Sequence, residues 1–195
     1  DYIVYADRYR LYILDRKGKE RVKVPTLLNL SRKTSLYLTK HDGVRKIVFM
    51  DANGEIVFVD FHGNVERVKG GRMSGEGMFN VGDINGDGQD EFIYTLKNRL
   101  LVMSCNGKVL FEKQWDNANL GFPYVYRFAA KDSRIGFWDN QGGYLFLLNA
   151  AENSNGFPIK GNSPFSIAFG DRGNTGFYLI AGSDGVHLSK YRVLK

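Results

Sequence analysis

The chain is poor in cysteine, proline and long apolar runs, and each shortage excludes something. A single cysteine, Cys105, rules out an intrachain disulfide and any metal site built from several thiolates. Four prolines in 195 residues, with no extended Ser, Gln or Glu tracts, exclude the composition of a disordered linker. The apolar runs last only a few residues, so none reaches the roughly 20-residue length of a membrane-spanning helix. Helical periodicity with caps is nowhere sustained, which argues against a helical bundle. Histidine is scarce as well. His41, His62 and His187 lie in or beside turns more than 20 residues apart, without HxxxH or HExxH spacing. They are expected to be ordinary surface residues. The strand-like pattern is already running at Asp1, with no Met and no leader before it, so the expectation is a processed or excised piece whose targeting segment has been removed.

What is abundant points to strands. Aromatics make up 14% of the chain, with 14 Phe and 11 Tyr, and 23 Gly supply tight turns. The net charge is +6, all of it in residues 1–72, which hold 15 Lys/Arg against nine Asp/Glu. A basic half invites a nucleic-acid reading. In RYRLYILDRKGKERVKV (8–24), however, the charges alternate with apolar residues as the solvent-facing side of strands does, and no block of like charge stands out. The expectation is a solvated face, with no nucleic-acid partner.

Self-comparison organises the chain. YIVYADRYRLYILDRKGKERVKV (2–24) aligns with KIVFMDANGEIVFVDFHGNVERVK (46–69), given one inserted residue, and that segment with EFIYTLKNRLLVMSCNGKVLFEK (91–113). RIGFWDNQGGYLFLLN (134–149) and GFYLIAGSDGVHLSKYRV (176–193) repeat the first half of the pattern. A further strand precedes four of the units: SLYLTK (35–40), MFNVGD (78–83), YVYRFAAK (124–131) and FSIAFGD (165–171). Each full unit is a four-stranded antiparallel meander, with Asn-Gly at 53–54, 106–107 and 155–156, the preferred tight-hairpin dipeptide because both residues tolerate positive φ. Starts at Ile3, Ile47, Phe92, Ile135 and Phe177 lie about 44 residues apart, the period of propeller blades. A sheet apolar on both faces must be packed between neighbours, and a sandwich would not require this self-similarity. The fold class is therefore all-β, a single β-propeller domain of four-stranded antiparallel blades. About five repeat units fall near 1–25, 32–70, 77–115, 123–161 and 163–195. The first lacks its innermost strand and the last its outermost, which favours an arc of a larger ring over a five-unit ring with two thin blades.

One connection is chemically distinctive. GDINGDGQDE (82–91) packs four carboxylates, an Asn and three Gly into the link between the innermost and second strands of the third unit. Oxygen-bearing side chains fall at Asp83, Asn85, Asp87 and Glu91, positions 1, 3, 5 and 9, and the carbonyl of Gln89 at position 7 can join them. Gly86 and Gly88 let the backbone turn between them. An all-oxygen set of this kind suits Ca²⁺, which takes 6–8 oxygen ligands at flexible geometry; a metal-free Asx-type turn is the alternative. It is not an EF-hand, since position 12 is Tyr94, inside a strand. The expected role is structural, one Ca²⁺ neutralising Asp83, Asp87 and Glu91. Asp90 is expected to point away from the ligands. The matching loops KHDGVRK (40–46), AKDSRIG (130–136) and GDRGNTG (170–176) keep too few oxygens and are expected to be plain turns.

The loop resembles the DxNxDGxxD/E loop of the FG-GAP/VCBS repeat family, the calcium-binding blades of integrin-α-like propellers. The resemblance extends over the chain at repeat level, with the loop intact in one blade only. It implies Asp83, Asn85, Asp87 and Glu91 as side-chain ligands and Gln89 as a backbone ligand, with Glu91 where many members carry Asp. GFP (121–123), GFPI (156–159) and the terminal unit SPFSIAFGDRGNTGFYLIAGSDGVHLSKYRV (163–193) are also similar to the family.

No catalytic constellation emerges. AGSDG (181–185) lacks the first Gly of a nucleophile elbow, RMSGEG (72–77) enters a strand rather than a helix, and Cys105 has no base nearby in sequence. Trp115, Trp138, Phe122, Tyr124, Tyr126 and Phe137 could form a sugar-stacking platform, but core between sheets is the plainer reading. The expected function is a non-catalytic binding or scaffold propeller of the cell envelope or extracellular space, secreted, periplasmic or on the cell surface, with a protein or glycan ligand. The alternatives are a lectin-like propeller, or an accessory part of a polysaccharide-processing or quinoprotein-type enzyme.

Overall fold

The computed structural model describes residues 1–69, 71, 73–169, 176–183 and 187–194, the segments beyond residue 167 by their backbone alone. Among these residues there is no helix, and the strands form five successive antiparallel sheets. The first holds β1 (Ile3–Ala6), β2 (Leu11–Leu14) and β3 (Glu20–Val22). The second holds β4 (Tyr37–His41), β5 (Val44–Met50), β6 (Ile56–Asp60) and β7 (Val65–Val68). In the third are β8 (Met78–Gly82), β9 (Glu91–Leu96), β10 (Arg99–Met103) and β11 (Val109–Gln114). The fourth comprises β12 (Tyr124–Ala129), β13 (Asp132–Asp139), β14 (Tyr144–Asn149), β15 (Glu152–Asn153) and β16 (Ile159–Lys160), and the fifth β17 (Phe165–Phe169), β18 (Gly176–Ser183) and β19 (His187–Leu194). Each sheet runs in sequence order, as a meander must, except that β16 in the fourth pairs with β14.

One detail departs from the sequence reading. The outermost strand of the fourth sheet is broken, because β15 and β16 pair separately with β14. Asn155-Gly156 therefore lies between these two pieces and joins no paired strands. In the Asn-Gly pairs the positive φ falls on the glycine. Gly54, Gly107 and Gly156 have φ of +83°, +81° and +82°, while their Asn partners are not among the residues at positive φ. Only the second residue of each pair needs the left-handed region.

The repeated sheets are buried on both faces. Along β6, Ile56, Val57, Phe58 and Val59 are all fully buried, so burial does not alternate. Val57 and Val59 join Leu11, Ile13, Val22, Ile47 and Phe49 in a cluster built by the first and second sheets. Phe58 points the other way, with its ring 5.8 Å from that of Phe92 on β9. Each such side chain contributes about 1.5–3 kcal/mol of burial. The continuous apolar run IVFV reflects this two-sided environment, where a half-exposed strand would alternate.

The chain divides into two compact units: Asp1–Asp83 with Gly88–Tyr94 and Val102–Leu110, and Ile84–Asp87 with Thr95–Leu101 and Phe111–Lys195. In the second unit, Leu145, Leu147, Phe157 and Phe165 form a core cluster, against which Tyr126, Phe128, Trp138, Ile159 and Ile167 pack.

Candidate functional site

An aspartate opens several of the described hairpins. Asp51 Oδ1 accepts the backbone N–H groups of Asn53 and Glu55, both at 2.9 Å. Asp15 Oδ1 does the same for Lys17 and Lys19, and Asp60 Oδ1 for His62 and Asn64. In the second unit, Asp139 binds Gln141 N through Oδ1 and Gly142 N through Oδ2. The recurring D-x-x-G, at 15–18, 51–54, 60–63 and 139–142, is thus a turn cap, supplying the acceptors that a tight bend strips from its own backbone. The backbone hydrogen bonds lower the Asp15 carboxyl, that of Lys19 most. At Asp60, burial pushes upward, but the Asn64 side chain and the turn amides outweigh it and the carboxyl lies below its usual range.

The loop joining β8 to β9 uses the same device locally. Gly88 N donates to Asp83 Oδ2 at 3.0 Å. Asn85 Oδ1 accepts from Asp87 N at 2.8 Å, and Asn85 Nδ2 donates to Asp87 Oδ2 at 3.1 Å. Gly86 and Gly88 take φ of +76° and +85°. A Cβ at Gly86 would stand 2.8 Å from Lys131 Cα, whereas Gly88 has open space, so Gly88 answers to backbone conformation alone. Asn85, Asp87 and Gln89 are exposed and Glu91 is buried. Asp90 Oδ2 accepts a 2.6 Å bond from Thr39 Oγ1 on β4. The donor set is all oxygen, and glycine stands where the bend needs it. These residues fit a calcium ion in kind.

The second sheet brings Glu66 to His41 and to Asp42, the latter 24 residues earlier in the chain. His41, at the end of β4, is buried rather than on the surface, correcting the expectation for this histidine. Its ring stacks on Phe58 at 4.3 Å and an interplanar angle of 14°. Nε2 lies 3.5 Å from Asp42 Oδ2 and 3.5 Å from Glu66 Oε1. Lys46 Nζ, on β5, donates to Glu66 Oε2 at 2.6 Å, and this hydrogen bond above all holds the Glu66 carboxyl below its ordinary range. Among the described residues, His41, Asp42 and Glu66 are the one group of three His, Cys, Asp or Glu whose ligand atoms lie within 4.8 Å of one another; the acids of the 83–91 loop are not gathered so tightly.

The remaining candidates have ordinary surroundings. His62 is exposed in the β6–β7 turn. His187 opens β19 opposite Ser183, and its side chain lies outside the described residues, as do 170–175 and the turn at 184–186. The segments 40–46 and 130–136 each contain a short hairpin, with Asp42 and Gly43 at φ of +51° and +77° in the first. Cys105 sits in the β10–β11 turn, its Sγ 3.5 Å from Gln89 Oε1. The aromatic set packs on itself. Trp115 meets Phe137 and Phe146 edge-on at 5.3 and 5.4 Å, and Tyr124 lies against Phe122, Tyr126 and Trp138.

No protein-family model matches the chain, and no curated protein matches its sequence. Solved structures do resemble it. The crystal structure of BBS1N in complex with ARL6DN superposes with a TM-score of 0.56 at 10% identity, over 80% of this chain and 49% of that one. The fold is that of a β-propeller. The chain spans about half the length of BBS1N. A protein of unknown function from Bacteroides caccae matches with a TM-score of 0.49 at 13% identity, over 97% of this chain and 73% of that one. Identities this low show the fold alone.

Proposed function

We propose that the chain is a non-catalytic binding or scaffold module that engages a protein partner. The observation that carries this reading is an exposed apolar surface on the first unit. Tyr2, Ile3, Tyr5 and Leu38 are each about half exposed or more, beside an open cleft of about 760 Å³ lined by Tyr2, Val4, Leu36, Tyr37, Leu38 and Phe61, with Asp1 and Arg45 as its charged members. Aromatic and aliphatic anchors with one or two charges at the margin are the make-up of a protein-binding patch. BBS1N, a propeller solved with a bound protein, is a precedent for the fold in that role. The test compares native chain with a Tyr2→Ser/Leu38→Ser variant. A partner captured by the native chain should form a stoichiometric complex in calorimetry and lose at least about tenfold in affinity with the variant, the cost of one to two anchors. Equal affinity for both would contradict the reading.

Within this module, one Ca²⁺ held by Asp83, Asn85, Asp87, Glu91 and the Gln89 carbonyl is the reading that the FG-GAP/VCBS-like loop favours, and it would place the chain among proteins of the cell envelope or extracellular space. Its role would be to fix the β8–β9 connection. A second reading, a glycan-binding surface, rests on a different observation. In the second unit, a cleft of about 510 Å³ is lined by Trp115, Tyr144 and Phe146 together with Asp116, Asn117 and Asn153. Apolar rings beside amide and carboxylate groups suit a sugar. Trp115 fluorescence, unchanged across a panel of oligosaccharides, would remove it.

A further inference from the structure

We propose that His41, Asp42 and Glu66 form a second metal site, distinct from the 83–91 loop, for a transition-metal dication of the zinc class. The observation that points to a ligand is the imidazole itself. His41 is 6% exposed, and among the described residues Nδ1 has no hydrogen-bond partner. Nε2 lies 3.5 Å from one oxygen of each carboxylate, beyond the range of a good N–H···O bond. A buried imidazole normally secures at least one short hydrogen bond. Here the spacing matches something else. With metal–ligand bonds of about 2.0–2.1 Å, neighbouring ligands of a tetrahedral zinc stand about 3.3–3.4 Å apart. The distances from Nε2 to Asp42 Oδ2 and to Glu66 Oε1 need almost no adjustment to become two edges of that tetrahedron.

The surroundings prepare each ligand. Phe58 fixes the plane of the His41 ring by stacking. Lys46 takes the other Glu66 oxygen at 2.6 Å, which leaves Oε1 for the His41 side. Asp42 is held by a two-residue turn at φ of +51°, and its side chain is 80% exposed. That exposure leaves an open side for water as the fourth ligand. One nitrogen and two carboxylates are the donors of zinc-class ions, and a histidine is foreign to a calcium shell. Binding through Nε2 puts the ring proton on Nδ1, where no acceptor waits. That deficit weakens the site by about 10–100-fold relative to one whose histidine is supported. The ion would tie the β4–β5 turn to β7, linking the first and last strands of the second sheet.

The test uses the full chain, stripped with chelator, titrated with ZnCl₂ by calorimetry and with Co²⁺ by visible absorption. The expected result is one Zn²⁺ equivalent that His41→Gln weakens by at least about 100-fold, together with the intense visible bands of tetrahedral Co²⁺. Asp42→Asn, at an exposed left-handed turn position that Asn tolerates, should weaken binding without altering the circular dichroism, so loss of folding cannot be mistaken for loss of the site. Asp87→Asn should leave it unchanged. Failure to bind Zn²⁺, binding indifferent to both His41→Gln and Asp42→Asn, or binding abolished by Asp87→Asn would each overturn the proposal.

Discussion

Replacing Asp51 by alanine tests the hairpin caps where they are most deeply buried. Asp51 is 1% exposed; Oδ1 accepts two turn amides at 2.9 Å and Oδ2 receives Arg67 Nη1 at 2.8 Å. Alanine leaves the N–H groups of Asn53 and Glu55 without their acceptor, and Arg67 with only Glu55 at 3.4 Å. An unmet buried donor costs about 1–3 kcal/mol. Water can reach part of this turn, since Asn53 is exposed, and Arg67 is 31% exposed and can be rehydrated, so the sum falls near 3 kcal/mol. Asp51→Asn keeps an oxygen for both amides and loses the charge, and should cost about 1 kcal/mol. The readout must come from the right place. Trp115 and Trp138 both belong to the second unit, whereas Asp51 lies in the first. Native-state hydrogen exchange of the β5 and β6 amides reads it directly. Asp51→Ala should cut their protection by about 100-fold, with Asp51→Asn losing less than tenfold. Equal losses for the two variants, or less than tenfold for alanine, would refute the capping argument.

Other consequences follow from the same geometry. The Asp7 carboxyl is lowered by the amides of Tyr9 and Arg10, and Asp15, Asp60 and Glu66 are lowered as described, from ordinary values of 3.8 and 4.5. Groups held low in the folded state stabilise it above their unfolded values and cease to do so as pH falls through the folded ones. Urea unfolding should therefore be flat from about pH 5 to 7 and weaken below about pH 4; stability that rises on acidification would contradict this. Burial, reinforced by Tyr124, pushes the Tyr126 hydroxyl well above its usual 10, and the stability it confers is lost as pH climbs beyond 10. Tyr126→Phe should flatten the alkaline limb, and an unchanged limb would show the hydroxyl to be accessible. A Cβ at Gly77 would stand 2.0 Å from the fully buried Tyr94 ring, so Gly77→Ala should cost about 2–3 kcal/mol in chemical denaturation. Gly18→Ala meets open space at φ of +77° and should cost only its backbone strain, about 1–2 kcal/mol. The opposite order would be wrong for this packing.

The sheets were legible because the signals that build them are local. IVFVDF, EFIYTL and YLFLLN read as strands without any partner in view, and the 44-residue register follows from aligning them. The Gly of each turn was visible for the same reason. The aspartate three residues before it was equally regular in the sequence, at 15, 51, 60 and 139, yet its meaning lies in hydrogen bonds to amides that the letters do not display. The break between β15 and β16 escaped because Asn155-Gly156 imitates a hairpin. His41 was misjudged because its burial depends on Phe58 and Glu66, strands away in the sheet, and no spacing rule within KHDGV encodes that meeting. The 83–91 loop is the reverse case, a local motif whose oxygen-bearing residues stand in order along the chain.

The most direct test of the account is calorimetric titration of the chelator-stripped chain with Ca²⁺, paired with melting curves. One site is predicted, removed by Asp87→Ala and unaffected by His41→Gln. At a hundredfold excess over the dissociation constant it should add about 2.7 kcal/mol of stability and raise the melting temperature by roughly 5–10 °C. No heat of binding and superimposable melting curves with and without Ca²⁺ would contradict a calcium-fixed propeller loop.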